Sequence, residues 1–316
     1  MVEKVDVYSD KSNGSKIYAF DYLRVIALVM ILYDHLGGFY NPNWIVKKII
    51  DFFFAVPLDI IQDFGAFGVS LFFLLSGFLF TYNGNYKNEA KKTFKKTMKT
   101  YVGCLMAFFL FYILQRLTWI IKTTYWSQFS TKQWIESMTL VGYFTGHGDV
   151  INGTTWFLIP LFLLKGFHLS VSSTLVFVYM PLMGMILGEI FRKERRISIF
   201  NGILLLIVNY VLMVIWFWVF AREYHDTYCY FVSFIYSLFL IIIFAIFKEQ
   251  FKKSQMIDFC CKISLSVYLM HMTFGSFLLS FFLYISIPFS LSFVITIAVI
   301  FLISYIHMNI LSRIIR

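Results

Sequence analysis

The chain reads as an all-α, polytopic bundle of transmembrane helices with about nine apolar spans. Three observations predict this. Of 316 residues, 59% are hydrophobic and only 14% charged, little more than half the charge of a soluble domain. Mean hydropathy is +0.75. The apolar residues gather in runs close to the ~20 that a bilayer-spanning helix needs, and Lys and Arg gather in the short segments between them. The formal charge of +10 is therefore a positive-inside signal, and a lipid bilayer rather than a nucleic acid is the expected partner.

The elements follow in order. Residues 1–18 are polar and carry neither an apolar core nor a small-residue cleavage site, so a cytoplasmic tail is expected there and not a removable signal peptide. Residues 19–316 are expected to form one membrane-embedded domain. Its first span is 19–39. Residues 41–62 contain WIVKKIIDFFFAVPLDII, where charges and Pro57 interrupt the apolar run. This segment is expected along the interface with its Phe cluster in lipid. Spans follow at 64–82 and 101–121, separated by a basic segment. The longest polar connection, 122–152 with Trp126, Trp134 and Tyr143, reads as an interfacial, partly folded loop. The remaining apolar runs are 154–169, which is short, then 171–190, 202–220, 229–247, 263–284 and 286–311.

Charge sets the orientation. Segment 87–99 holds Lys87, Lys91, Lys92, Lys95, Lys96 and Lys99 against Glu89, so it is expected inside, and with two spans before it the N-terminus is expected inside too. FRKERR (191–196), KEQFKK (248–253), Arg313 and Arg316 carry the same signal. A multi-pass protein of the cell membrane is the expectation. The count conflicts between span three and FRKERR, where an odd number of crossings is needed and two apolar stretches are present. Either 154–169 is re-entrant or one charge cluster sits on the opposite side; the re-entrant reading is preferred, since irregular backbone at membrane depth is tolerated where it lines a cavity.

The four cysteines, Cys104, Cys229, Cys260 and Cys261, lie in or beside apolar segments without metal-ligand spacing. Small buried hydrophobes are expected, with neither a disulfide framework nor a metal.

Five places carry candidate chemistry. Arg24 and His35 stand eleven residues apart on the first span. That is three helical turns, so they share a stripe about 16 Å long with Leu28 and Ile31. Arginine offers a planar fork that suits phosphate, and neutral histidine can take a proton from a hydroxyl and return it to a leaving group. The plain alternatives are an anchor paired with Asp21, and a satisfied core histidine. Asp34 is adjacent in sequence and is expected about 100° around the helix, away from His35. Ser76-Gly77 breaks the oily run GVSLFFLLSGFLF and marks close approach, either of a ligand or of another helix. Lys96 and Lys99 share a face entering span three, where they either hold an anionic cofactor or only orient the chain. NGTTWFLIP (152–160) supplies an Asn152-Gly153 turn, a cap from Thr154 or Thr155, and Trp156 at the outer interface. His271 falls within the span that starts near Ser264 and is a candidate to line the same cavity.

Taken in order, these segments resemble the acyltransferase 3 family of multi-pass membrane acyltransferases, with the likeness running from about residue 20 to 311. The family's first-span arginine and histidine, ten residues between them, correspond to Arg24 and His35. Its second-span phrase matches Gly68, Phe72, Phe73, Ser76, Gly77 and Phe78. Asn152, Gly153, Trp156, Phe157 and Leu158 match its Asn-Gly turn before a Trp phrase. GMILGEIFRKERR resembles its Gly-rich helix and basic loop, and Ser264, Tyr268, Leu269 and His271 match a Ser-x-x-x-Tyr-Leu-x-His phrase. Two departures stand out. Lysines occupy 96 and 99 where the family has arginines, and Val102 stands near the place of a usual proline. The family's usual ten spans include one between the Trp phrase and the Gly-rich helix, and here only about 25 residues separate Trp156 from Pro181. A span lost there also repairs the count.

The resemblance implies transfer of an acyl group, often acetyl, from acyl-CoA to a hydroxyl on a carbohydrate or lipid-linked glycan. It places CoA phosphates near Lys96, Lys99 and Arg24, with Ser76 beside the cofactor and Asn152, Trp156 and His271 in the cavity. His35 then acts as general base toward the acceptor or as a transient acyl carrier. Two other classes suit the same features: a transporter of a glycan or lipid intermediate, and a non-catalytic relative that binds acyl-CoA.

Overall fold

The computed structural model describes residues 17–38, 40–58, 64–82, 89–117, 130–139, 177–192, 195–221 and 227–314. These residues are helical throughout their regular structure, with no strand among them. Helix α1 (Tyr18–Leu32) runs on into a π-helical turn, Tyr33–Gly38. Helix α2 (Ile45–Ile50) continues through a π turn, Asp51–Ala55, to Val56–Leu58. Then come α3 (Phe64–Tyr82), α4 (Glu89–Leu117), α5 (Thr131–Thr139) and α6 (Tyr179–Phe191). Helix α7 (Ile199–Trp216) ends in a π turn, Phe217–Ala221, and α8 covers Thr227–Ile246. Helix α9 (Gln255–Met270) passes through a π turn, His271–Gly275, into α10 (Ser276–Tyr284), and α11 spans Phe289–Ile314. Ser198 and Ser254 cap α7 and α9, each accepting a backbone N–H three residues on.

Among the described residues three helices are long and apolar enough to cross a bilayer: Phe64–Tyr82, Ile199–Val219 and Phe289–Arg313. Met98–Ile113, Tyr179–Phe191 and Tyr230–Ile246 are shorter apolar helices. The first span and the 263–284 span are each interrupted by a π turn, and 154–169 lies outside the described residues.

Helix α3 forms the centre of one half, packed on α1, α6 and α8. Glycines bring α3 and α6 into backbone contact. A Cβ at Gly77 would stand 1.9 Å from the Pro181 carbonyl oxygen, and one at Gly184 would stand 2.0 Å from that of Leu74. Without a hydrophobic force between helices in lipid, such close packing and polar links supply the association. Thr81 adds one by donating to the Met185 carbonyl at 2.8 Å. Gly77 is thus the packing notch of the Ser76-Gly77 pair.

The other face of α1 meets α9, where Leu28, Leu32 and Leu36 pack with Ile263, Val267 and Met270. Helix α4 lies against α9 and α11. Buried His307 ties these three together. The Gly103 carbonyl 3.1 Å from its Nε2 can only accept, so Nε2 carries the proton, and Ser266 donates its hydroxyl to Nδ1 at 2.9 Å.

Within the connection 122–152, residues 130–139 are described and contain helix α5. Helix α5 folds back along α4. Trp134 is buried with its ring 5.9 Å from Phe111 and 5.2 Å from Tyr112, and Tyr101 donates to the Met138 carbonyl at 2.7 Å. Trp134, Ser137 and Met138 sit at helical spacing on one face, which gives α5 a side to bury. Trp126 and Tyr143 lie outside the described residues.

Candidate active site

His35 sits inside the π turn that ends the first span, and His271 opens the π turn that follows α9. Single π turns inside membrane helices recur at functional sites because they widen the backbone and re-aim side chains. Here they bring the two imidazoles together. Nδ1 of His35 is 2.8 Å from Nε2 of His271, and the rings lie nearly parallel at 9°. His271 is fully buried, while about a third of the His35 side chain is open.

The hydrogen-bond chain fixes which nitrogens carry protons. The Tyr268 carbonyl lies 2.6 Å from Nδ1 of His271 and can only accept, so that nitrogen is the donor. With both rings neutral, Nε2 of His271 is bare and accepts from Nδ1–H of His35. Nε2 of His35 is then left with its lone pair free of a proton, on the more open of the two rings. That is the arrangement a general base or nucleophile needs.

Asp34 corrects the sequence reading. It does not point away: its Oδ2 is 3.9 Å from Nε2 of His35. A π turn advances fewer degrees per residue than an α-helix, so neighbours in sequence splay less. The carboxylate faces the nitrogen that would become charged on taking a proton.

The other candidates divide. Arg24 pairs with Asp21 at 3.4 Å and remains partly open, while the stripe between it and His35, Leu28 and Ile31, is buried. Lys99 is half-buried on α4, which packs on α9 and α11, and no described hydrogen bond or ion pair joins it to Arg24. Lys96 lies on the same helix, with its side chain outside the description. Ser76 is exposed and donates to its own helix at the Phe73 carbonyl, 2.7 Å away, so no described contact brings it to the histidines. Asn152 and Trp156 lie outside the described residues.

A family model described as an acyltransferase domain, that of the acyltransferase 3 family, matches residues 17–167 and 160–309. The chain belongs to the acyltransferase 3 family. It is a membrane acyltransferase, and the two matched stretches overlap at 160–167, within the short apolar run 154–169. No curated protein and no solved structure matches the chain. In this member of the acyltransferase 3 family, the Arg24–His35 pair of the resemblance falls in the first matched stretch and His271 in the second. What the residues alone did not give is that the second stretch supplies the partner that orients the first. The one local signal was Tyr268 three residues before His271, a spacing at which a ring nitrogen reaches the carbonyl of the preceding turn.

Proposed function

We propose that the protein transfers an acyl group, with acetyl the expected one, from acyl-CoA to a hydroxyl of a cell-surface carbohydrate or glycolipid. The observation that carries this reading is the His35–His271–Tyr268 chain, which, with both rings neutral, makes Nε2 of His35 the unprotonated nitrogen. Nε2 takes the proton of the acceptor hydroxyl as its oxygen attacks the thioester carbonyl. The tetrahedral intermediate then collapses, the C–S bond breaks, and the imidazolium returns its proton to the departing thiolate. Atoms and charge balance without a further reactant. Asp34 stabilises the imidazolium between the two steps, and His271 holds the ring in register.

The donor is read as approaching from the cytoplasm, where the positive-inside pattern puts the N-terminus of a multi-pass cell-membrane protein. Arg24, Lys96 and Lys99 are the residues proposed to hold its phosphates. Lysine meets phosphate as a point charge, without the bidentate fork of arginine. Removing Lys96 is therefore expected to weaken acyl-CoA binding more than turnover.

The deciding experiment compares surface glycans by mass spectrometry in cells producing the parent chain, its His35→Ala variant, and no chain. An acyl mass present only with the parent supports the reading and names donor and acceptor. Parent-level acylation by His35→Ala, at equal membrane abundance, removes His35 from the mechanism.

A further inference from the structure

Segment 44–58 has no part in the chemistry so far, yet it lies directly over the turn that carries His35. Trp44 covers Gly37, where an added Cβ would meet its ring at 2.8 Å, and the Lys47 stem passes 3.7 Å from the same position on Gly38. The indole stacks on Tyr33 and donates through Nε1 to Ser290 at 2.9 Å, which pins the segment to the start of α11. Lys47 is thereby held above the turn, paired with Asp51 one helical turn on.

Four ionisable side chains remain open around this point to nearly the same degree: Lys47 and Asp51 at 29% and 33%, His35 and Asp34 at 31% and 28%. Between them lies an unexplained group. The hydroxyl of Tyr33 is buried and has no hydrogen-bond partner among the described residues, although Asp51 and Asp34 both act on it by charge. A buried polar atom left without a partner is costly and calls for a ligand or water.

The set has a definite chemistry. Carboxylates accept from two hydroxyls at once, an ammonium donates to ring and hydroxyl oxygens, and a phenol does either. Such a group suits a ligand dense in hydroxyls and carrying no strong charge of its own. We propose that Lys47, Asp51 and Asp34, with the Tyr33 hydroxyl, form the acceptor subsite, which holds a polyhydroxylated ring with one hydroxyl at Nε2 of His35. Trp44 touches no ligand; it positions the segment. Phe52, Phe53 and Phe54 follow Asp51 and are all exposed, which suits a segment lying in the lipid interface. The ring reaches the subsite either as a lipid headgroup or as part of a water-soluble glycan, and the acceptor fractions used in the test separate the two.

This inference rests on the acyl-transfer reading. The test uses the full chain in liposomes with radiolabelled acetyl-CoA. Two acceptor probes are taken from the envelopes of the producing cells: a chloroform–methanol extract and an aqueous glycan extract. For whichever extract the parent labels, Lys47→Met and Asp51→Asn are expected to raise its KM about ten- to hundredfold, the loss of one charged hydrogen bond. The turnover number and the KM for acetyl-CoA should stay within about twofold, because neither residue touches the donor path. The exchanged pair Lys47→Asp with Asp51→Lys keeps an ion pair, and should also raise the acceptor KM. It carries the test if a single variant fails to insert. Unchanged acceptor KM in the inserted variants overturns the subsite and leaves acyl transfer standing. No label in either extract with the parent overturns the acyl-transfer reading, and the subsite with it.

Discussion

Nδ1 of His35 and Nε2 of His271 lie 2.8 Å apart across 236 residues of sequence, and the bond between them has one polarity. The Tyr268 carbonyl claims the proton on the far side of His271, so His35 donates to His271 through Nδ1 and its Nε2 is the unprotonated nitrogen. In the proposed mechanism His271 acts through His35. His271→Ala is expected to lower turnover by about a hundredfold with little change in the KM for acyl-CoA. His271→Gln is expected to recover part of the loss, since a side-chain amide oxygen still accepts from Nδ1–H. Initial rates on the three proteins in liposomes check this. Equal loss in both variants would mean that the ring fills space and does not orient.

Asp34 faces Nε2 of His35, the nitrogen that the proposed mechanism protonates, at 3.9 Å. Both side chains are partly open, so solvent screens the pair and the effect is moderate. Asp34→Asn is expected to reduce turnover by about tenfold. Single-turnover measurements separate this from acceptor binding. A full-rate Asn variant would show that the carboxylate does not stabilise the imidazolium.

The α3–α6 contact is made by backbone, which cannot move aside. Gly77→Ala and Gly184→Ala each put a Cβ within about 2 Å of a carbonyl oxygen on the opposite helix. Both are expected to cut the folded yield sharply, as overpacking costs about 1–3 kcal/mol or more. Gly38→Ala, with its nearest neighbour at 3.7 Å, should melt with the parent. Thermal unfolding in detergent ranks the three.

His307 links α4, α9 and α11 through Gly103 and Ser266. Ser266→Ala removes one of its two bonds. A loss of about 0.6–2 kcal/mol in stability is expected, with turnover unchanged, as for interhelical polar links in other membrane proteins. A turnover defect larger than the stability loss explains would give Ser266 a place in the chemistry.

Much of this protein is legible in its chain. The apolar runs at 64–82, 202–220 and 286–311 correspond to helices Phe64–Tyr82, Ile199–Val219 and Phe289–Arg313, because lipid solvation and helix propensity act on neighbours in sequence. Ser76-Gly77 marks a close approach in the oily run, and Gly77 lies against the Pro181 carbonyl. Arg24 and His35 stand out because polar groups on a membrane span need a reason. The folding back of α5 along α4 is less visible, since among its described residues the buried ones are Trp134, Glu136 and Ser137, with Met138 half-buried, in a polar stretch.

What the chain could not reveal is which polar groups meet. His35 on His271, Asp34 on His35 and Lys47 over Gly38 all depend on the rotational phase of two helices at their point of contact. That phase is reset by the π turns at Tyr33–Gly38, Asp51–Ala55 and His271–Gly275, which widen the backbone without any signature in composition. Short-range forces thus set the helices and their burial, whereas the direction of the proton at His35 is decided only when two distant turns pack.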